Sequence, residues 1–171
     1  MALELLQDPD VDLVVLNGPA QWGSIDNANG SATPEFALWH HADGEWIRTV
    51  LAQAHTKLTN IRESHPNAGG LIIATDHEHA RSITDLLERR HGVTARIVLS
   101  DDPRASDVID AFAKSDEQWV VAVRMISEGV DIPRLRVAVF ATTTTTAMFF
   151  RQAVGRIARW TAGISNQKAY M

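Results

Sequence analysis

The chain contains no cysteine. That excludes disulfides, cysteine-ligated zinc and a cysteine nucleophile. No apolar run approaches the roughly 18 residues of a membrane-spanning helix, and the first residues lack the basic-then-apolar order of a signal peptide. The expectation from these absences is a cytoplasmic chain with no membrane partner. Positive charge is also short: the net charge is −5 over 171 residues, so the chain is not a generally basic nucleic-acid binder. What is present is ordinary for a globular protein, with 45% hydrophobic and 22% charged residues. The length suffices for one domain with a proper core.

The charge is unevenly spread. Residues 1–70 carry nine acids against three bases, and residues 71–120 ten against six. Residues 121–160 carry only Glu128 and Asp131 against Arg124, Arg134, Arg136, Arg151, Arg156 and Arg159. All six bases in that stretch are arginine, the side chain suited to bidentate contact with phosphate. A chance fluctuation in an acidic protein is the alternative.

Beyond the threonines Thr142–Thr146 there is no low-complexity tract and no internal repeat. Residues 11–16 are apolar and β-branched, which predicts a short strand. Residues 17–34, with Gly18, Pro19, Gly23, Asn27, Asn29, Gly30 and Pro34, read as a long loop. Trp46, Val50, Ala54, Leu58 and Ile61 then recur at helical spacing, and that helix should end near His65-Pro66 and the pair Gly69-Gly70.

From residue 71 the pattern becomes regular. Strands are predicted at 71–74, 95–99, 119–123 and 135–141. The first is followed by a helix capped at Thr75 or Asp76, turning Ala80, Ile83 and Leu87 inward and stopping at Gly92. Ser100-Asp101-Asp102-Pro103 predicts a second helix, with an Asp cap and Pro at its first position, whose core stripe is Ala105, Val108, Ile109 and Phe112. A last helix should begin within the threonines and run to about Trp160. Ala169-Tyr170-Met171 reads as the start of a strand, and the abrupt start and stop suggest a piece of a longer protein. This order predicts an α/β domain, a parallel sheet flanked by helices. In such sheets ligands bind beyond the carboxyl ends of the strands. Thr75-Asp76, Met125 to Asp131 and the start of the last helix fall there.

The last helix is the most informative segment. At about 100° per residue, Ala147, Phe150, Val154 and Ile157 share one side, and Gln152, Gly155, Arg156 and Arg159 the other. One face can pack on the sheet. The other presents an amide, a gap without a side chain and two guanidinium groups. Most amphipathic helices carry a solvated polar face. This one has no acid to pair its arginines, and a mid-helix glycine costs about 1 kcal/mol relative to alanine, which suits close approach of a ligand to the backbone. Both readings stay open on residue chemistry alone. In Ser127-Glu-Gly-Val-Asp-Ile-Pro133, Gly129 permits a turn with positive φ that would set Asp131 at a strand's carboxyl end. A plain β-turn with an Asx hydrogen bond fits as well.

Taken together, these residues resemble a known family. Arg151-Gln-Ala-Val-Gly-Arg-Ile-Ala-Arg159 resembles motif VI of superfamily 2 helicases, QxxGRxxR. Ser127 to Pro133 resembles their motif V, and Leu71-Ile-Ile-Ala-Thr-Asp76 their motif IV. Order, spacing and strand context agree with the second RecA-like lobe, over about residues 68–160. The SEGVDIP form is similar to DNA-directed branches such as repair helicases and restriction-type translocases, and less like RNA helicases that carry HRxGRxGR.

The resemblance implies roles at the matching positions. Arg156 and Arg159 would be arginine fingers reaching the γ-phosphate of ATP, with its Mg2+, bound on a different lobe. Gln152, Gly155, Gly129 and Asp131 would line the nucleotide cleft. Thr75, Asp76, Arg124 and Ser127 would lie along the nucleic acid. The implied partners are the first RecA-like lobe of the same parent chain and a nucleic acid, DNA by the motif V form. Residues 68–171 would be the lobe, cut short at its C-terminus. Residues 1–67, a strand, a loop and a helix, carry no family signature and could belong to the connection between lobes.

A motor also needs a P-loop lysine and an acidic magnesium site. Gly18-Pro-Ala-Gln-Trp-Gly-Ser24 has P-loop spacing with Ser24 where lysine must stand. Asp116-Glu117-Gln118-Trp119 imitates a DExx box but precedes its strand. The histidines of His77-Glu78-His79 are two apart and do not share a helix face, and a zinc pair needs i, i+4 spacing. Among the tryptophans, Trp46 and Trp119 read as core. The chain alone should therefore not hydrolyse ATP. Two alternatives remain: a free-standing nucleic-acid-binding module that kept the fold but lost the motor, and a small α/β enzyme acting on a mononucleotide, for which no base or nucleophile is arranged.

Overall fold

The structure, a computed structural model, describes residues 12–14, 45–123, 132–142, 162–163 and 168–170. Their elements, in chain order, are β1 (Asp12–Val14), α1 (Glu45–Ser64), β2 (Gly69–Ala74), α2 (His77–His91), β3 (Ala95–Leu99), α3 (Ala105–Ala113), β4 (Trp119–Val123), β5 (Leu135–Ala141) and β6 (Lys168–Tyr170). The strands form one sheet in the order β1-β6-β5-β2-β4-β3. Every pairing is parallel.

A parallel sheet covered on both faces requires continuous apolar strands, and β2 and β4 are buried at every position. Alternation along each strand divides the core in two. Leu71, Ile73, Val120 and Ala122 face α3 and meet Ile109 and Phe112. Ile72, Ala74, Val121 and Val123 face the other way and meet α1 and α2 through Ile47, Leu51, Leu58, Ile83 and Leu87. The burial of α1 is centred beside the predicted stripe. Ile47, Leu51 and Leu58 are fully buried, while Val50, Ala54 and Ile61 sit at the margin of the same core.

α2 is bounded as its sequence predicts. Asp76 caps its first turn, and Gly92 adopts φ 64°, the left-handed conformation in which its N–H closes on the Glu88 carbonyl at 2.9 Å. Two other boundaries differ from expectation. Asp102 does not cap α3. Its carboxylate accepts from the Arg104 N–H at 2.9 Å and its carbonyl from the Ala105 N–H, so Asp102 and Pro103 form a turn and the helix begins two residues later. Gly69 and Gly70 do not stop α1 but open β2. The reason is space: a Cβ on Gly70 would lie 2.2 Å from the Trp119 ring, and one on Gly69 2.8 Å from Arg134. Only glycine lets the indole lie flush on the neighbouring strand.

Arg134 and Arg136 are not surface cations. Both are buried. Arg134 donates to the carbonyls of Phe112 at 2.7 Å, Glu117 at 2.8 Å and Asn67 at 2.9 Å, and its guanidinium lies 4.0 Å over the Phe112 ring. Arg136 donates to the carbonyls of Leu135 and Pro133. Burial pushes both guanidinium groups down to about 10, Arg134 further through the neighbouring Arg62 charge. They remain charged at neutral pH, held by carbonyl dipoles.

Two substitutions test this framework. Gly70→Ala should lower stability by about 2 kcal/mol or more, since overpacking a filled core typically costs about 1–3. Arg134→Met should cost about 3 kcal/mol by leaving buried carbonyls unpaired, and Arg134→Lys should not restore it, because an ammonium cannot span the same fork of acceptors. Urea unfolding of each variant provides the measurement.

Candidate functional site

The chain leaving β2 enters the sheet again at β3, on one side; the chain leaving β5 next enters at β6, on the other. The crevice beyond the carboxyl ends of β2 and β5 is thus the point where connections diverge, the place where open α/β sheets bind ligands. Thr75 and Asp76 follow β2 directly there.

Both residues are tied into the frame. The Thr75 hydroxyl donates to the Ala141 carbonyl of β5 at 3.3 Å, bridging the two strand ends. The Thr75 N–H donates to His79 Nδ1 at 3.3 Å. Asp76 is fully extended and its carboxylate accepts from the His79 N–H at 2.8 Å. Asp76 therefore stabilises the first turn of α2, and its negative charge sits well against that end of the helix dipole. The Thr75 hydroxyl keeps lone pairs free to accept, but it must release Ala141 to donate to a ligand.

Beside them opens a cleft of about 500 Å³ lined by Asp76, His77, Glu78, Ser100, Asp101 and Val123. That lies within the ~300–1,000 Å³ of small-ligand sites. His77 Nε2 stands 3.3 Å from Asp101 Oδ1, joining the start of α2 to the turn after β3. His77 and His79 thus point to different places. His77 is half exposed on the cleft, and His79 is buried against Thr75. Among the described residues no three His, Asp or Glu side chains could hold one metal ion. Ser100 and Asp101 were assigned by sequence to a helix start alone. Their place directly after a strand was the signal that they also border the cleft.

The other predicted site residues, Arg124, Ser127, Gly129, Asp131, Gln152, Gly155, Arg156 and Arg159, lie outside the described residues. Val123, the last residue of β4, lines the cleft. Arg134 and Arg136 leave the phosphate-facing set. Arg134 is bound to the amino-end segments of β2 and β4, away from the cleft. The Asp116-Glu117 pair stands at that amino end too. The Glu117 carboxylate accepts from Arg96 and from Ser115, and these bonds, Arg96 foremost, hold it below the usual carboxylate range.

Comparison with known proteins agrees with this arrangement. Residues 52–161 match the family model of the helicase conserved C-terminal domain. An uncharacterized protein of Mycobacterium leprae is 49% identical over 160 residues, 87% of this chain and 27% of its own length. One of Mycobacterium tuberculosis is 47% identical over 132 residues, 75% of this chain and 22% of its own. The chain thus spans about a quarter of these relatives. Among solved structures, a fragment assigned to the HsdR subunit of a type I restriction enzyme from Vibrio vulnificus superposes with TM-score 0.55 at 21% identity, covering 83% of this chain and 29% of that one. Dbp5 of Saccharomyces cerevisiae, bound to RNA and ADP–beryllium fluoride, superposes with TM-score 0.54 at 14% identity, covering 100% of this chain and 37% of that one. These likenesses are of fold.

Asp76→Ala should cost about 1 kcal/mol through loss of the cap, and Asp76→Asn should recover most of it, because the amide oxygen also accepts from the His79 N–H. Thermal melting of both variants distinguishes a capping carboxylate from one whose charge matters.

Proposed function

The chain belongs to the helicase conserved C-terminal domain family, and we propose that it is the second motor lobe of a superfamily 2 translocase acting on DNA. The observation that carries this reading is the coincidence of three things. The family match spans residues 52–161. The sequence within it keeps Ser127 to Pro133 and Gln152 to Arg159 in motif order. Thr75 and Asp76, the end of the motif IV segment, sit at the divergent carboxyl ends of the sheet.

The lobe's own chemistry follows from its residues. Arg156 and Arg159 supply positive charge to a phosphoryl group in transit, the kind of contribution worth on the order of 10³–10⁵ in rate. Gln152, Gly155, Gly129 and Asp131 line the nucleotide from this side. Thr75, Asp76, Arg124 and Ser127 lie along the nucleic-acid backbone, where Arg124 supplies charge and Asp76 fixes the loop. ATP with Mg2+ supplies the phosphoryl group when bound. The described residues of the cleft do not fit holding it, since Asp76, Glu78 and Asp101 line it. Asp76 is engaged by its own helix and Asp101 by His77, and the sequence has serine where a P-loop lysine would stand. Triphosphate and metal therefore belong to a first lobe elsewhere in the parent chain. The motif V form favours DNA over RNA as the track.

In the full-length parent, Arg156→Ala should lower nucleic-acid-stimulated ATP hydrolysis by on the order of 10³ while ATP binding and the melting temperature are kept. Near-normal turnover in that variant overturns the finger assignment. Salt-sensitive DNA binding by the 171-residue chain, combined with a parent that never hydrolyses ATP, would favour a nucleic-acid-binding module with this fold instead.

A further inference from the structure

α1 and α2 meet on one face of the sheet, and their contact includes two histidines. The imidazoles of His55, in the middle of α1, and His91, the last residue of α2, lie with centroids 4.6 Å apart and planes tilted by 37°. Beneath them the Trp119 indole N–H of β4 reaches His55 Nδ1 at 3.4 Å. An indole N–H only donates, so His55 Nδ1 must accept, and the ring proton sits on Nε2. The contact as drawn exists only while His55 is neutral.

We propose that His55, His91 and Trp119 form an acid-operated latch that holds α1 on the lobe. A proton taken from solvent onto His55 Nδ1 sets one donor against another and removes the only acceptor that Trp119 uses here. The His91 ring, 4.6 Å away, adds like-charge repulsion against a charged His55. Trp119 cannot retreat, because its ring fills the space over Gly70. The part that yields is α1, which is anchored by Ile47, Leu51 and Leu58, with Val50, Ala54 and Ile61 only half-buried beside them.

The neighbours do not offset this. From α2, His91 is the charged group acting on His55, and the Arg89 guanidinium turns back to the Asp85 carbonyl. From β5, the side facing α1 is apolar at Val137, Val139 and Ala141, and its Arg136 charge acts on His65. On α1 itself, Arg62 is bound to the carbonyls of Ala68 and Asp116, and Lys57 lies over the Tyr170 ring of β6. Burial first and the His91 charge second hold His55 below the ordinary histidine range. The sign follows: the unfolded chain takes up the proton more readily, so stability is level above the ordinary range and falls as pH drops through it toward the lowered folded value.

Amide hydrogen exchange of the full chain tests the latch. Corrected for intrinsic rates, protection of the α1 amides around His55 should fall several-fold between pH 7.5 and 5.5, as the unfolded segment takes up the proton that the folded one resists. His55→Gln, whose amide oxygen can accept from Trp119 without gaining charge, should show a clearly smaller fall over that range. His91→Gln should raise the His55 midpoint read by imidazole NMR. His65 is also held low, by burial and by Arg136, Arg62 and Arg134. It is common to both proteins, so their difference reads His55. Unchanged α1 protection in the parent sequence, or an equal fall in His55→Gln, overturns the proposal.

Discussion

One buried guanidinium gathers the amino end of this sheet. Arg134 collects the carbonyls of Asn67 before β2, Phe112 at the end of α3 and Glu117 before β4, and covers the Phe112 ring. Those groups come from three separate stretches of the chain, and the Phe112 carbonyl accepts from Ser115 as well. Backbone carbonyls buried at strand entries must be satisfied somewhere, and a planar fork of donors satisfies several at once. The desolvation of the charge is costly, so the arginine contributes less as net stability than as registry. It fixes where β2 and β4 begin and where α3 ends relative to β5, and hence where the strands' opposite ends finish.

Those opposite ends carry the site. Because every strand is parallel, alignment at the amino end is transmitted along rigid ladders, with Gly70 opposite Trp119 and Ala74 opposite Val123. Thr75 then bridges to Ala141, and Asp76 launches α2 beside the turn that holds Asp101. The close fit of Trp119 on Gly70 matters for the same reason. A spacer between β2 and β4 would shift the loop of Thr75 relative to Val123 by part of a residue. Framework and chemistry are thus separated along the strands, with buried charge at the entries and open polar loops at the exits.

Much of this was legible in the sequence. Strand positions from 71 onward follow from short apolar runs, and the bounds of α2 from Asp76 and Gly92, because caps act through local hydrogen bonds that neighbouring residues alone decide. Tertiary facts were not legible. Gly69-Gly70 read as a helix stop, since nothing local reveals that an indole 50 residues later needs the space. Asp102-Pro103 read as a cap because the competing turn depends on how β3 ends. Arg134 and Arg136 counted toward a phosphate-facing stripe, because composition cannot tell a cation bound to carbonyls from one facing solvent. Of the candidate site, the Thr75-Asp76 loop was located by motif and strand order, while the part played by Ser100, Asp101 and His77 required the sheet order that brings β3 next to β4.

Reassigning those two arginines sharpens the electrostatics of the lobe. The cleft rim holds Asp76, Glu78 and Asp101 against His77 alone, so a phosphate backbone meets mostly negative charge on that side. The other arginines of the 121–160 stretch are Arg124, Arg151, Arg156 and Arg159. Three of these belong to one short segment, Arg151 to Arg159. In the proposed reading the polyanion is therefore held by those arginines and by the neutral Thr75, while the Asp76 carboxylate is engaged by its own helix.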